Sequence, residues 1–91
     1  MTNNERLDRL FAAFDTEHPE VWALYHRFAW ELKRHRARGS SEQIVQRLRW
    51  ETAVNPAYDH GYKVNDHYRK RYAMKMCAMH PEFNGFFRFR S

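Results

Sequence analysis

The sequence predicts a mainly α-helical fold of about four helices, closed by a small C-terminal two-stranded β-element in the manner of a winged helix-turn-helix. Three observations carry that expectation: apolar residues recur at helical spacing, helix-start signals precede those stretches, and the last residues alternate apolar and basic with period two. With 91 residues, 43% of them hydrophobic, and seven Phe, five Tyr and three Trp, there is material for one core and little for a second. Residues 1–91 are therefore read as a single basic helical domain.

Thr2 followed by Glu5 has the spacing of a capping box, and Leu7, Leu10, Phe11 and Phe14 recur on one helical face, which predicts a first helix over 4–15. Pro19, pre-set for a first helical turn, and Glu20, near the positive end of the dipole, open a second. Its apolar stripe is Trp22, Tyr25, Phe28, Ala29 and Leu32, with Arg34, Arg36 and Arg38 at its C-terminal end and Gly39 as its stop. Ser40 and Gln43 repeat the capping-box spacing before Ile44, Val45 and Leu48, predicting a third helix to about Glu51. The stretch TAVNPAYDHG has no helical period and reads as a loop. Asn65 is a good N-cap for a fourth helix that carries Tyr68, Tyr72, Ala73, Met76 and Met79 inward and ends before Pro81. Asn84-Gly85 is a turn signal, and Phe87 to Arg90 read as a strand that pairs with a short strand at 62–64. Trp22, Phe28, Leu48, Tyr72 and Phe87 are expected to be structural.

Charge is distributed unevenly. Sixteen Lys and Arg against eleven Asp and Glu give a net +5. Residues 1–25 carry two basic and five acidic groups, and residues 26–50 seven and two. Residues 51–59 add two acids, and residues 60–91 again carry seven basic and two acidic. Two basic segments thus alternate with two acidic ones, and folding that gathers the basic pair makes a positive face that attracts phosphate or an acidic partner.

The helix–Gly39–Ser40–helix order resembles a helix-turn-helix, in which a tight turn delivers one helix to the major groove. Under that reading Ser41, Gln43, Gln46, Arg47 and Arg49 face DNA, Gln and Arg reading base edges and Ser holding phosphate. A second version uses the fourth helix, with Asn65, Arg69, Lys70 and Arg71; adjacent helical residues lie about 100° apart, so at most two of the three consecutive cations share a face. Arg88 of the terminal strand joins either version as a wing contact.

Other chemistries find less support. Six histidines include the local set His60, Asp66 and His67, and Asp59 adjoins His60, but neither spacing matches a zinc or acid–base site, so no metal, cofactor or catalytic residue is expected. No GxSxG, P-loop or dinucleotide-binding pattern occurs in a chain with three glycines. A lone Cys77 beside Met76 and Ala78 reads as a buried thiol in a reducing compartment. With neither a signal-peptide pattern at the N-terminus nor a run of membrane-spanning length, the expected setting is the cytoplasm without a membrane partner.

The blocks RLRWETAV, YKVN and PEFNGFFRFR, in that order, resemble short uncharacterised proteins of bacteriophages and bacteria over roughly residues 10–90. The resemblance implies a phage or bacterial setting and transfers no residue roles. In that setting a basic helical module has a competing use, occupying the surface of a host protein, for which an exposed Trp30 or Trp50 would be the anchor.

Overall fold

In the computed structural model, residues 2–55 and 67–87 are described, and they form four α-helices and one short 3-10 turn. The first helix, α1, spans Asn3–Glu17. Thr2 Oγ1 accepts the Glu5 amide at 3.2 Å, the half of the capping box that fixes the start. The helix runs on to the residue before His18-Pro19, where the proline ring disfavours helical backbone, and His18 adopts φ −127° and ψ 66°. α1 has no fully buried residue. It is held by Phe11 and Phe14, whose rings pack on Tyr68 and Tyr72 at centroid distances of 4.7–5.6 Å.

The second helix, α2, spans Pro19–His35. Its buried stripe is Val21, Tyr25, Phe28 and Ala29, so the inward face is turned slightly from the one expected. Val21 takes the central place, and Trp22, half-buried, stacks beside Tyr25 and Tyr72 at 6.0 and 6.2 Å. The helix ends at His35 with Arg36 as its C-cap, three residues before the glycine expected to stop it, and Gly39 has another purpose. A Cβ there would lie 2.6 Å from Leu32 Cδ2 and 2.7 Å from Phe86 Cζ, so this position is glycine because two hydrophobic groups close on the backbone.

The third helix, α3, spans Ser41–Val54 and starts with a complete capping box. Ser40 Oγ accepts the Glu42 amide and the Ser40 amide donates to Gln43 Oε1, both at 3.1 Å. It continues three residues past Glu51 into the stretch expected to be loop. Thr52 is the reason: fully buried, it donates Oγ1 to the Leu48 carbonyl at 2.9 Å, which satisfies the hydroxyl within the helix.

The fourth helix, α4, spans Tyr68–Met79 and ends before Pro81, as the sequence implies. Tyr68, Tyr72, Ala73 and Met76 are buried; Met79, expected inward, is 54% exposed. The N-cap of α4 is His67, two residues after the expected Asn65, and it makes no side-chain cap bond; Asn65 itself lies outside the described residues.

The expected C-terminal β-element is not supported. No strand occurs among the described residues, and Phe87 forms a single isolated parallel bridge with Gly39. The partner segment 62–64 and residues 88–90 lie outside the described residues. In place of a hairpin, a 3-10 turn over Pro81–Phe83 and a reversal at Gly85, with φ +83°, fold Phe83, Phe86 and Phe87 back beneath the helices. The Asn-Gly signal was thus a turn, spent on returning the chain to the α2–α3 link: the Gly39 amide donates to the Phe86 carbonyl at 3.0 Å. The core sits between α2, α3 and α4 around Tyr25, Phe28, Leu48, Tyr72 and Met76, closed below by the three phenylalanines.

Candidate nucleic-acid interface

The residues after α2, Arg36-Ala37-Arg38-Gly39-Ser40, bend at Ala37 and Arg38 on their way into the cap of α3, and α4 passes beside them. Between these elements lies an open cleft of about 640 Å³. Arg36 and Arg38 come from the link, Arg69 and Lys70 from the first turn of α4, and Phe87 from the returning C-terminal segment. Against these four cations the cleft has one carboxylate, Glu42, which touches Arg69 Nη1 at 3.4 Å. Arg36, Arg38 and Lys70 are exposed and make no ion pair among the described residues. The α3 N-terminus adds the positive end of its dipole, though its capping box already occupies amide donors of the first turn.

Of the residues that the sequence assigns to nucleic acid, Arg69 and Lys70 line this cleft together. Arg71 points elsewhere, as the angular argument requires of one of the three. Its guanidinium holds Asp8 at 2.8 Å and the carbonyls of His67 and Asn4 at 3.0 and 3.3 Å, and its side chain is only 13% exposed. Arg71 is therefore a clamp on α1. Ser41 also differs from expectation. Its hydroxyl donates to the Arg69 carbonyl at 2.5 Å and accepts the Tyr25 hydroxyl at 2.6 Å, tying α2, α3 and α4 together. Gln43 lines the cleft but spends its side-chain oxygen on the cap. Arg47 is half-exposed yet anchored, with Glu31 at 3.0 Å and the Phe28 ring 4.4 Å below its guanidinium. Gln46 is exposed and Arg49 half-buried on α3; Asn65 and Arg88 lie outside the described residues.

Arg36 and Arg38 line the cleft but are absent from the site that the sequence predicts. Their signal was present in the run KRHRARGSS, four cations immediately ahead of a helix cap, but it was assigned to the dipole at the end of α2. Because α2 stops at His35, both arginines leave the helix and join the cleft. The five-residue link is longer than the three- or four-residue turn of a helix-turn-helix.

A second polar cluster sits midway along α2, where it meets the residue after α4. His26 Nε2 lies 2.9 Å from His80 Nε2 and accepts the Trp30 indole N–H at 3.3 Å. With Nε2 accepting, His26 carries its proton on Nδ1, and His80 donates. Burial, and then the neighbouring His80, hold the His26 pKa below its ordinary 6.5. Among the described residues no group of three or more His, Cys, Asp or Glu converges to hold a metal, and His67 is exposed; Asp59, His60 and Asp66 lie outside those residues. Cys77 is half-buried, donates weakly to the Phe83 carbonyl at 3.5 Å, and burial pushes its thiol pKa up, away from the reactive thiolate. No described helix is long and apolar enough to cross a membrane. Comparison of the chain with protein-family models, curated proteins and solved structures gives no match.

Proposed function

We propose that this chain is a nucleic-acid-binding protein, without catalytic activity, that holds the phosphate backbone in the cleft between the α2–α3 link and the start of α4. The observation that carries the reading is the convergence of Arg36, Arg38, Arg69 and Lys70 on one cleft with a single opposing carboxylate. Arginine forks and a lysine ammonium suit phosphate oxygens, and three of these four groups have no acid to neutralise them among the described residues. Contacts of this kind position a strand and carry no sequence code by themselves. DNA, duplex or single-stranded, is the ligand that this reading favours, with Gln46 exposed on α3 beside the cleft. The cytoplasm, bacterial or phage-infected, is the setting that it implies.

Binding measured by fluorescence anisotropy against random duplex DNA, single-stranded DNA and RNA at two salt concentrations tests it. Affinity should fall steeply with salt, by a log–log slope of about −0.7 to −0.9 for each phosphate neutralised. Arg38→Ala and Lys70→Ala should each weaken all three ligands roughly two- to tenfold and flatten that slope by about one. Absence of binding to every ligand at low salt would sink the reading. The runner-up would then take its place, docking on an acidic surface of a host protein, which is favoured by one observation: Trp50 and Val54 on α3 are 69% and 53% exposed.

A further inference from the structure

The three tryptophans are treated differently by the fold. Trp22 and Trp30 are half-buried and each packs against several rings. Trp50 is 69% exposed and has no ring contact among the described residues. It sits on α3 seven residues after Gln43, with Gln46 and Arg47 between them at the spacings that share one helical face. All four side chains are exposed, opposite the buried face of Ile44, Val45 and Leu48. Gln43 is also a wall of the cationic cleft, so one continuous stripe leads from the cleft along α3 to the tryptophan about 10 Å away.

Resting on the nucleic-acid reading, we infer that this stripe is the track of an unpaired strand, with phosphates in the cleft and a base stacked on the indole of Trp50. Two features select this occupant. A helix that docks in a protein groove presents an apolar stripe along its length, whereas here the large exposed apolar side chains of α3 are confined to its end, Trp50 and Val54, and Gln43, Gln46 and Arg47 precede them. A duplex keeps its base faces inside the stack, whereas a single strand exposes them, and stacking on an aromatic ring beside cations is the general means of holding one. The positive cleft at one end of the stripe supplies the charge complementarity. Strand sequence matters little in this arrangement, since every base has a face to stack.

The test compares three ligands of equal length, an oligothymidylate, the same backbone without bases, and a duplex, against the full chain and its Trp50→Ala and Trp50→Phe variants. The oligothymidylate should bind more tightly than the abasic strand and the duplex. Trp50→Ala should weaken it on the order of tenfold, Trp50→Phe much less, and neither should alter the abasic strand or the salt slope. Equal losses on oligothymidylate and abasic strand would mean that the substitution acts through the fold, which overturns the inference. An unchanged affinity for oligothymidylate, with salt-sensitive binding intact, overturns the stacking role and leaves the cleft reading standing. Failure of every ligand overturns both. Loss of an acidic protein partner on Trp50→Ala, with strand binding untouched, would assign the ring to protein docking.

Discussion

Tyr25 and Tyr72 stack 5.0 Å apart at the centre of the core and differ in the fate of the hydroxyl. Tyr25 donates to Ser41, while the Tyr72 hydroxyl is buried with no partner among the described residues. Burial raises both phenol pKa values above the ordinary range, so neither ionises near neutrality; at Tyr72 the Asp15 carboxylate adds to this effect. The two Tyr→Phe substitutions should therefore part company. Tyr25→Phe should cost about 1 kcal/mol by removing a made bond, and Tyr72→Phe should be neutral or stabilising, because it removes an unsatisfied group. Urea unfolding of the two variants decides the matter, and an equal loss in both contradicts the assignment. Gly39→Ala forces a methyl group against Leu32 and Phe86 and should cost about 1–3 kcal/mol, read as a lower urea midpoint at unchanged slope. His26 sets a pH dependence. Its folded pKa lies below 6.5, so the unfolded chain takes up the proton first as pH falls; the stabilisation is complete above about 6.5 and is lost as pH descends through the folded value. Melting temperatures at about pH 7.5 and about pH 5 should drop less in His26→Gln than in the parent, and identical drops would exclude this histidine as the cause.

At the scale of elements, α1 stands apart. It buries no residue fully and is attached by Phe11, Phe14 and the ion pairs Asp8–Arg71 and Asp15–Lys75 at 2.8 and 2.5 Å. Amide exchange should accordingly be fastest in α1 and slowest in α2 around Tyr25, Phe28 and Ala29, whose side chains are fully buried; α1 amides as protected as those of α2 would refute this ordering. The starts of α1, α2 and α3 are legible in the sequence because caps are local chemistry: Thr2, Pro19 and Ser40 each stand where a helix begins, whereas α4 starts after His67 without a side-chain cap and not at Asn65. Helix ends were less so. α3 outran its expected end because Thr52 found a carbonyl inside its own helix and burial against the core, and the second of these depends on tertiary packing. Ser41 reads in sequence as an exposed first-turn residue, and only the approach of Tyr25 and the Arg69 carbonyl, both distant in the chain, makes it a joint. The candidate site was half legible for the same reason. Arg69 and Lys70 were found from charge and angular spacing, whereas Arg36 and Arg38 depended on where α2 stops.

Over the whole molecule, the alternation of acidic and basic segments resolves into two separate uses of charge. The acids of α1 meet Arg71 and Lys75 on one flank of α4, and Lys75 also lies 4.3 Å over the Trp22 ring. The opposite use is the cleft, to which α4 contributes Arg69 and Lys70. Net charge per segment therefore overstates what a ligand meets, since part of it is neutralised within the fold. A double dissociation should follow: Lys75→Ala lowers the melting temperature and spares the salt slope of binding, and Lys70→Ala does the reverse. If both variants lose binding alike, the division of charge is wrong. The bond from the Gly39 amide to the Phe86 carbonyl bears on how this cleft meets a ligand. It pins the arginine-bearing link, at the residue after Arg38, to a segment forty-seven positions later, so Arg36 and Arg38 emerge from backbone that is already set. Encounter then asks only for the settling of side-chain rotamers, and ligand capture should proceed as a single kinetic phase whose rate rises linearly with concentration, without the plateau that a slow loop rearrangement imposes.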